Sequence, residues 1–557
     1  MKQYFSLLPC CIFAGLFSAA AAPVEVNPGK VQTGGELRLA QPSEPKTLNP
    51  LLVTDEASEL FRYLTSGSLV RLNRSTQKIE PELAESWKIS EGGTLITFQL
   101  RKGLKYSNGA PFDAQDVVFT INKLLEKSLA SPMAESFRPA SGTLLVKANS
   151  PGIASVKFPT YVAGLERLFS GLSILSSRPN GEVSPKGDLP GLGPFVLAEL
   201  KAGSHLRLAR NHNYWRKDAA GRQLPYLDSV RIEFLKNRDI ELLRFQKGGF
   251  DLVSNIEPDA FDRLKATGKA TPLDLGTSLD TQQLWFNQTP VAPIGAHKKA
   301  WFASQVFRRA ISETINRKDM ARVVFHGYGV PASGPISPGN SFWQRAGLKP
   351  EESLPQAALA KLQKEGFQLS GDQLKDKQGN PVEFTIVTNA GNKVRERLAA
   401  MIQSDLRQIG IKVTIAAMDF PSLIERIMRT FNYEVCLLGM VNLDLDPSGQ
   451  MNVWLSSGSS HAWNPNQKSP ATAWEAEIDK LMRTQSTEVD SNKRKAAFDK
   501  VQDIIVQQAP ILYLVNKRTL AAASPKLRNL KPAILPPYLV WNIEELHFAE
   551  GVQRSSR

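Results

Sequence analysis

The apolar and polar positions of residues 382–439 follow a strand period and a helix period in turn. Residues 382–388 form a short apolar segment that predicts a strand. Apolar side chains then recur at four-residue spacing and predict a helix that ends at Gly410: Val394, Leu398, Ile402 and Leu406.

Two further strands extend this unit. Residues 411–415 alternate between apolar and polar, and residues 433–439 form another apolar segment. Between them, Asp419 and Pro421 are typical of a helix start. A strand-helix-strand-helix-strand order with short joints predicts parallel strands and right-handed crossovers. Ligands of such sheets lie beyond the carboxyl ends of the strands, so residues 440–463 are the first candidate site.

The same alternation of elements is found earlier in the chain. Residues 94–100 place Ile96 and Phe98 on one face of a half-buried strand. Asp113 is predicted to cap the next helix, with Asp116 three residues later. Because strands and helices alternate throughout, the sequence predicts an α/β fold.

Length and composition indicate a soluble protein of several domains. The chain has 557 residues, of which 42% are hydrophobic and 22% charged, and at about 150 residues per domain this predicts three or four domains. The net charge of +14 raises the question of a nucleic-acid partner. Lysine and arginine are spread along the chain without interleaved aromatics, so we predict a solvated basic surface and no nucleic acid. Arg308 and Arg309, on an amphipathic helix, are predicted to be surface or lobe-interface residues.

The first segment predicts secretion. Lys2 precedes an apolar run at residues 5–17, and small residues follow at 19–22. This layout is typical of a secretory signal peptide, predicted here as residues 1–22, and the run is shorter than the roughly 20 residues of a membrane anchor. We therefore expect a periplasmic protein. Cleavage leaves Cys436 as the sole cysteine, so no internal disulfide is expected.

Sequence motifs for catalysis are missing. None of the histidines is spaced at i and i+4, and no Gly-x-Ser-x-Gly, phosphate-loop or GxGxxG motif stands in its required context. We predict no enzyme, no bound metal and no cofactor. Carboxylates are plentiful, so a glycosidase pair stays open.

Several blocks occur in the order found in one known family and span nearly the whole chain. They are residues 47–50 (TLNP), 81–87 (PELAESW), 100–109 (LRKGLKYSNG), 113–120 (DAQDVVFT), 191–195 (GLGPF), 210–215 (RNHNYW), 249–252, 307–318 (FRRAISETINRK) and 410–411. In these blocks the chain resembles the family 5 extracellular solute-binding proteins, the dipeptide and oligopeptide receptors of ABC importers.

The resemblance implies a two-lobed periplasmic-binding-protein fold with mixed sheets and an extra small domain. Of the three domains, the first is discontinuous and comprises residues 23–70, 190–283 and 517–557. The small inserted domain comprises residues 71–189, and the second lobe residues 284–516, all of ordinary domain size.

The resemblance also directs attention to one loop. In peptide-binding relatives, an aspartate within a Gly-Trp…Pro segment holds the amino terminus of the ligand. Gly439 and Pro447 anchor the matching segment of this chain. There, Met440 replaces the tryptophan and Leu443 replaces the aspartate. A neutral leucine cannot balance an ammonium group in a desolvated cleft, so Asp444, one residue further, is the predicted contact.

Four other side chains complete the predicted ligand-binding set: Asp446, Trp343, Trp454 and Trp463. The alternative for Asp444 and Asp446 is an Asx-type turn before Pro447. Trp454 and Trp463 flank a serine-rich loop and would suit a peptide side chain or a sugar ring. Their alternative is packing beneath that loop.

The predicted function is that of an ABC-importer receptor that closes on a peptide or similar small polar solute. The expected partners are that ligand and an inner-membrane permease, with the receptor a monomer. Oligosaccharides, nickel chelates and haem remain open as cargo. A secreted hydrolase and a sensory or scaffold protein are the alternatives from other classes.

Overall fold

The structure is a computed structural model that describes residues 31–138, 142–178, 189–441, 445–465 and 467–551. The predicted signal peptide and Asp444 lie outside these ranges. In chain order, the strands are β1 (Glu36–Gln41), β2 (Val70–Leu72), β3 (Ile79–Pro81), β4 (Ala84–Ser90), β5 (Leu95–Leu100), β6 (Leu145–Ser150), β7 (Ile153–Lys157), β8 (Phe195–Lys201), β9 (His205–Arg210), β10 (Ser229–Phe234), β11 (Leu252–Val253), β12 (Thr271–Phe286), β13 (Gly329–Pro331), β14 (Gln368–Ser370), β15 (Gln373–Lys375), β16 (Glu383–Asn389), β17 (Lys412–Met418), β18 (Val435–Val441), β19 (Ile511–Ala523), β20 (Leu527–Arg528) and β21 (His547–Phe548).

Helices stand between these strands. They are α1 (Glu56–Thr65), α2 (Ala114–Leu125), α3 (Ala134–Phe137), α4 (Leu165–Leu168), α5 (Arg238–Gln246), α6 (Pro258–Ala266), α7 (Ala296–Ala303), α8 (Gln305–Thr314), α9 (Arg317–Val323), α10 (Pro355–Lys364), α11 (Lys393–Arg407), α12 (Phe420–Glu425), α13 (Met451–Trp454), α14 (Ala473–Thr487) and α15 (Ser491–Gln508). Short 3₁₀ segments occupy Glu91–Gly93, Lys127–Leu129, Pro447–Gln450 and Ile543–Glu545, and a π-helical segment occupies Arg426–Thr430.

Two four-stranded sheets come from the first half of the chain. One has the order β1-β10-β9-β8, and the other, antiparallel throughout, has the order β4-β5-β7-β6. The predicted strand face in β5 is confirmed, because Ile96, Phe98 and Leu100 are buried. Asp113 and Asp116 form the predicted capping box at the start of α2.

The unit predicted from residues 382–439 is confirmed. β16 pairs in parallel with both β17 and β18. α11 connects β16 to β17 and buries Leu398 and Leu406 against the sheet. Asp419 caps α12 by accepting a hydrogen bond from the Ser422 backbone N–H. The carboxyl ends of the three parallel strands therefore share one edge.

Two long neighbouring strands, β12 and β19, run through the largest sheet, whose order is β11-β19-β12-β18-β16-β17 with β13 also paired to β19. At one end of this pair Thr271 lies opposite Ala523, and at the other Trp285 lies opposite Ile511. The register shifts between these ends, where Gly276 has a φ of 108° that disfavours any other residue. The regular ends of both strands are thus joined through an irregular middle.

Separate hydrophobic cores lie under these sheets. One core contains Phe98, another Leu208, and the second-lobe sheet has a core on each face, with Phe286 on one side and Trp285 on the other. Below, "first lobe", "inserted region" and "second lobe" denote the segments predicted above, and their boundaries stay a prediction. Within the described ranges, no helix combines the length and apolar composition needed to cross a bilayer.

The expectation that Arg308 lies at the surface or at a lobe interface is wrong. The residue is 2% exposed, and its guanidinium donates to the carbonyls of Phe302, Gln508 and Ala509, all within the second lobe. Burial lowers its pKa to about 10. A planar group with five donors can satisfy several carbonyls at once, so an arginine can join α8 to the end of α15 from within the core.

Candidate ligand-binding site

The first lobe contains a cavity of about 250 Å³. Its wall is formed by the end of β1, the exposed side of α1, β11 and residues 536–540. Leu60, Val253 and Leu539 supply apolar surface, and Tyr538 lies beside them. A concave, mostly apolar surface with a few polar groups is typical of a small-molecule site, so this cavity is the first candidate.

Two charged side chains in this wall lack an ion-pair partner among the described residues, namely Glu56 and Arg74. The nearby Glu59 differs, because Arg62 donates to it at 2.6 Å. Arg74 lies 5.9 Å from the centre of the Tyr63 ring, and burial lowers its pKa. Tyr63 and the Glu59 carboxylate also interact with Arg74. The cavity wall therefore holds a carboxylate and a guanidinium that form no salt bridge among the described residues, which suits a zwitterionic solute.

A second arginine stands at the shared edge of the parallel strands in the second lobe. Arg395, in the first turn of α11, donates from Nε to Gln282 Oε1 at 3.1 Å and from Nη1 to Asn389 Oδ1 at 2.6 Å. Within the described part of the chain, no carboxylate pairs with it, and burial lowers its pKa. A half-buried guanidinium held by two neutral amides is prepared to receive a carboxylate.

A small apolar cluster joins the first lobe, next to the cavity, to the second lobe. Leu279 of β12, Leu445 of the second lobe and Leu535 of the first lobe pack together. Residues 536–538, which line the cavity, follow directly in the chain. Burial raises the pKa of Tyr538, and the carboxylates of Glu56 and Asp280 add to this rise. The cavity wall thus continues along the chain into Leu535, which packs against Leu445 of the second lobe.

Asp446 lies in a buried ion pair. Its carboxylate accepts from Arg494 at 2.6 and 3.0 Å, and it also accepts from the Ser448 backbone N–H at 2.9 Å. These are the contacts of a cap and an internal salt bridge, and Asp446 is not among the residues of the cavity wall. A ligand contact for Asp446, and for Asp444 outside the described residues, stays a prediction.

The three predicted tryptophans share one hydrophobic cluster of the second lobe. Trp454 Nε1 donates to Gln450 at 3.0 Å, and Trp463 Nε1 donates to Glu475 at 3.0 Å. Trp343 packs beneath Arg494, whose guanidinium carbon lies 5.1 Å from its ring. Packing holds all three side chains, hydrogen bonds also hold Trp454 and Trp463, and the contact of the three with a ligand stays a prediction.

Two further cavities are lined by paired charges. One of about 50 Å³ lies where Arg71 bonds Glu544 at 2.9 Å. The other, of about 250 Å³, lies in the second lobe, where Arg309 bonds Glu351 at 2.7 Å. Among the described residues, no group of three or more His, Cys, Asp or Glu side chains is arranged to hold a metal ion.

Sequence reasoning missed Glu56, Arg74, Tyr538 and Arg395. Arg395 could have been found, because it lies just beyond the carboxyl end of β16, at the edge where open sheets bind ligands. No comparable signal existed for the first-lobe cavity, since its walls come from distant parts of the chain.

Comparisons with known proteins agree with this architecture. The structure of the ABC transporter substrate-binding protein CtaP from Listeria monocytogenes superposes with a TM-score of 0.78 at 20% identity, over 93% of this chain and 100% of that one. A probable ABC transporter-binding protein of Deinococcus radiodurans is 28% identical, over 88% of each chain. The oligopeptide-binding protein AppA of Bacillus subtilis is 26% identical, over 94% of this chain and 93% of its own.

These likenesses define a class, the substrate-binding proteins of ABC transporters. The family model described as "Bacterial extracellular solute-binding proteins, family 5 Middle" matches residues 78–462. This chain belongs to that family, whose members bind small molecules or peptides and work with ABC permeases.

Proposed function

We propose that this chain captures a short peptide, or a similar small zwitterionic solute, between its lobes and delivers it unchanged to an ABC permease. A ligand that contacts both lobes favours the closed arrangement by mass action. We also propose that residues 1–22 are cleaved on secretion, that the mature receptor acts as a monomer in the periplasm, and that it does not turn over its cargo.

The observation that carries the proposal is a set of charged side chains that form no salt bridge among the described residues. Glu56 and Arg74 line the first-lobe cavity, and Arg395 in the second lobe is hydrogen-bonded to two neutral amides, with the Asp280 carboxylate acting on it at longer range. A free peptide carries an ammonium group at one end and a carboxylate at the other, so the ammonium group can pair with Glu56 and the carboxylate with Arg395. The relative AppA is an oligopeptide-binding protein, which agrees with this choice.

The predicted loop contacts belong to the same proposal. Asp444 would provide a further anion beside the cavity, next to Leu445, which packs against Leu535. The proposed ligand-binding set also includes the four other predicted side chains: Asp446, Trp343, Trp454 and Trp463. Asp444→Ala is then expected to weaken peptide binding, and unchanged affinity in calorimetry would remove that residue from the site.

The first experiment identifies the cargo class. Native mass spectrometry of protein purified without refolding weighs any retained solute, and calorimetry then compares trialanine with N-acetyl-trialanine and trialanine amide. We expect trialanine to bind and each end-blocked form to bind more weakly. A retained sugar together with no trialanine binding contradicts the peptide class, and recovery of cleaved peptide contradicts transport without turnover.

Two variants then test which side chain binds each end of the ligand. In Arg395→Ala, the affinity difference between trialanine and its amide should disappear, because the carboxylate no longer meets a guanidinium. Arg397→Ala, an exposed change two residues along the same helix, is the matched control. In Glu56→Gln, the difference between trialanine and its acetylated form should disappear, with the exposed Glu85→Gln as control.

A further inference from the structure

The inserted region reaches the second lobe through two hydrogen bonds to backbone carbonyls. Tyr161 Oη donates to the Glu488 carbonyl at 2.7 Å, at the end of α14. Gln77 Nε2 donates to the Gly339 carbonyl at 2.5 Å. Neither donor lies in the wall of the first-lobe cavity. These contacts therefore join two parts of the receptor through side chains that do not line the first-lobe cavity.

The Gln77 donor sits on a well-formed turn between β2 and β3. Asn73 Oδ1 accepts from the backbone N–H groups of Ser75 and Thr76 at 3.0 and 2.9 Å, and the Gln77 backbone N–H donates to the Asn73 carbonyl at 2.8 Å. Arg167 donates to the Gln77 carbonyl at 3.4 Å, from elsewhere in the inserted region. The amide is thus presented by a turn that is held by hydrogen bonds to Asn73.

The ring of Tyr161 packs against Gly93. A Cβ built on Gly93 would lie 2.4 Å from Tyr161 Cδ2, so the ring packs where residue 93 has no side chain. Three residues after Tyr161, the chain approaches the second lobe closely, because a Cβ built on Gly164 would lie 3.5 Å from Asp446 Oδ2. Asp446 is itself fixed by Arg494. Both sides of this contact are therefore held by packing or ion pairing of their own.

We infer that the inserted region is a latch for the second lobe, and that Tyr161 and Gln77 are positioning residues that set ligand affinity without touching the ligand. The inference rests on the proposed closing of two lobes. Closing forms these hydrogen bonds and opening breaks them, so they favour the closed population in the absence and in the presence of solute. The apparent dissociation constant rises as the closed, binding-competent fraction falls.

The expected change in the closed-to-open ratio follows from the free energy of the two hydrogen bonds. Each neutral hydrogen bond shifts an equilibrium by about two- to tenfold, so losing both should lower the closed-to-open ratio by about four- to a hundredfold. Every ligand should lose affinity by the same factor, because the contacts do not depend on what lies in the cavity. A side chain that met the ligand would instead change the ranking of ligands.

Small-angle scattering of the full protein without added solute tests the latch directly. The variant Tyr161→Phe/Gln77→Ala should have a larger radius of gyration than the unchanged protein, with the same cooperative thermal unfolding. Tyr161→Phe alone keeps the ring on Gly93 and should show a smaller expansion of the same kind, so it carries the test if the double variant does not fold. Tyr226→Phe, which removes a hydroxyl bonded to Asp218 within the first lobe, is the matched control.

Two outcomes overturn the latch. One is identical scattering for the unchanged protein and both latch variants. The other is an equal expansion of Tyr226→Phe, which would indicate general loosening. Neither depends on which solute binds, so the proposed cargo can fail while the latch stands. With trialanine and trialanine amide as probes, the latch variants should weaken both equally, whereas Arg395→Ala should weaken only the former.

Discussion

The guanidinium of Arg395 occupies the space that a side chain at Gly439 would need. A Cβ built on Gly439 would lie 2.6 Å from Arg395 Nη2 and 2.6 Å from Gln282 Nε2. Gln282 is also the residue to which Arg395 donates. Because Gly439 in β18 has no side chain, the guanidinium of Arg395 can lie at the edge shared by the parallel strands.

Gly439→Ala should displace Arg395 and lower the affinity for a ligand with a free carboxylate. Hydrogen bonds to charged groups contribute about 1.5–3 kcal/mol, which corresponds to a loss of about ten- to a hundredfold. Calorimetry with trialanine measures it, and trialanine amide should show a much smaller change. Gly152→Ala is the control, because a Cβ there meets only Gln99 Nε2 at 3.7 Å. Equal affinities of the two proteins for trialanine would contradict the assigned role of Arg395.

Arg494→Met should destabilise the second lobe strongly. It leaves the carboxylate of Asp446 buried without its guanidinium partner, and breaking a buried pair from one side costs about 3–5 kcal/mol of unfolding free energy. Urea unfolding measures the loss. Arg263→Met, which removes an exposed partner of Asp259, should change the unfolding free energy by less than about 1 kcal/mol. Similar losses for the two variants would argue against a structural role for the Asp446 pair.

Glu475 should make the protein sensitive to acid. Burial alone would raise its pKa, but hydrogen bonds from His461, Trp463 and Gln467 outweigh burial and lower the pKa to about 2. The ionised carboxylate stabilises the fold above its ordinary pKa of 4.5, and this contribution is lost as the pH falls from 4.5 to about 2.

Glu475→Gln should therefore lower the melting temperature at pH 7 and reduce its further fall between pH 4.5 and pH 2.5. Differential scanning calorimetry at these pH values provides the comparison. Glu477→Gln, an exposed change on the same helix, should leave both quantities nearly unaltered. An acid response of Glu475→Gln as steep as that of the unchanged protein would remove Glu475 as its source.

Cys436 should resist thiol reagents in the folded protein. Its side chain is fully buried in β18, and burial raises the pKa of the thiol, so little thiolate is present and none is accessible. Labelling by a maleimide, located by peptide mapping, should follow the rate of unfolding in urea. Fast labelling at Cys436 without denaturant would show that this sheet opens locally.

The sequence predicted the second-lobe unit well because its information is local. Alternation in β17, four-residue spacing in α11 and the Asp419 cap each lie within one element. The capping box of Asp113 and Asp116 belongs to the same kind of signal. The family blocks then supplied the order of elements, which periodicity alone does not determine.

The candidate site was predicted only in part, because it is assembled from remote segments. The cavity combines α1, β11 and residues 536–540 with Arg74, and no local pattern links them. Aromatic residues near the expected loop were visible, but whether a tryptophan packs inward depends on tertiary neighbours. For Trp463 the decisive neighbour is Glu475, which accepts its N–H. Buried carboxylates of this kind cannot be distinguished from surface ones by sequence.

The irregular middle of β12 and β19 limits how the receptor can move. Both strands remain hydrogen-bonded to each other on either side of this stretch, so neither can slide along its neighbour without breaking paired backbone groups at both ends. Rotation about the stretch containing Gly276 preserves those pairs, and translation does not. For the proposed closing of the two lobes, this stretch therefore favours a swing of one half against the other over a sliding movement.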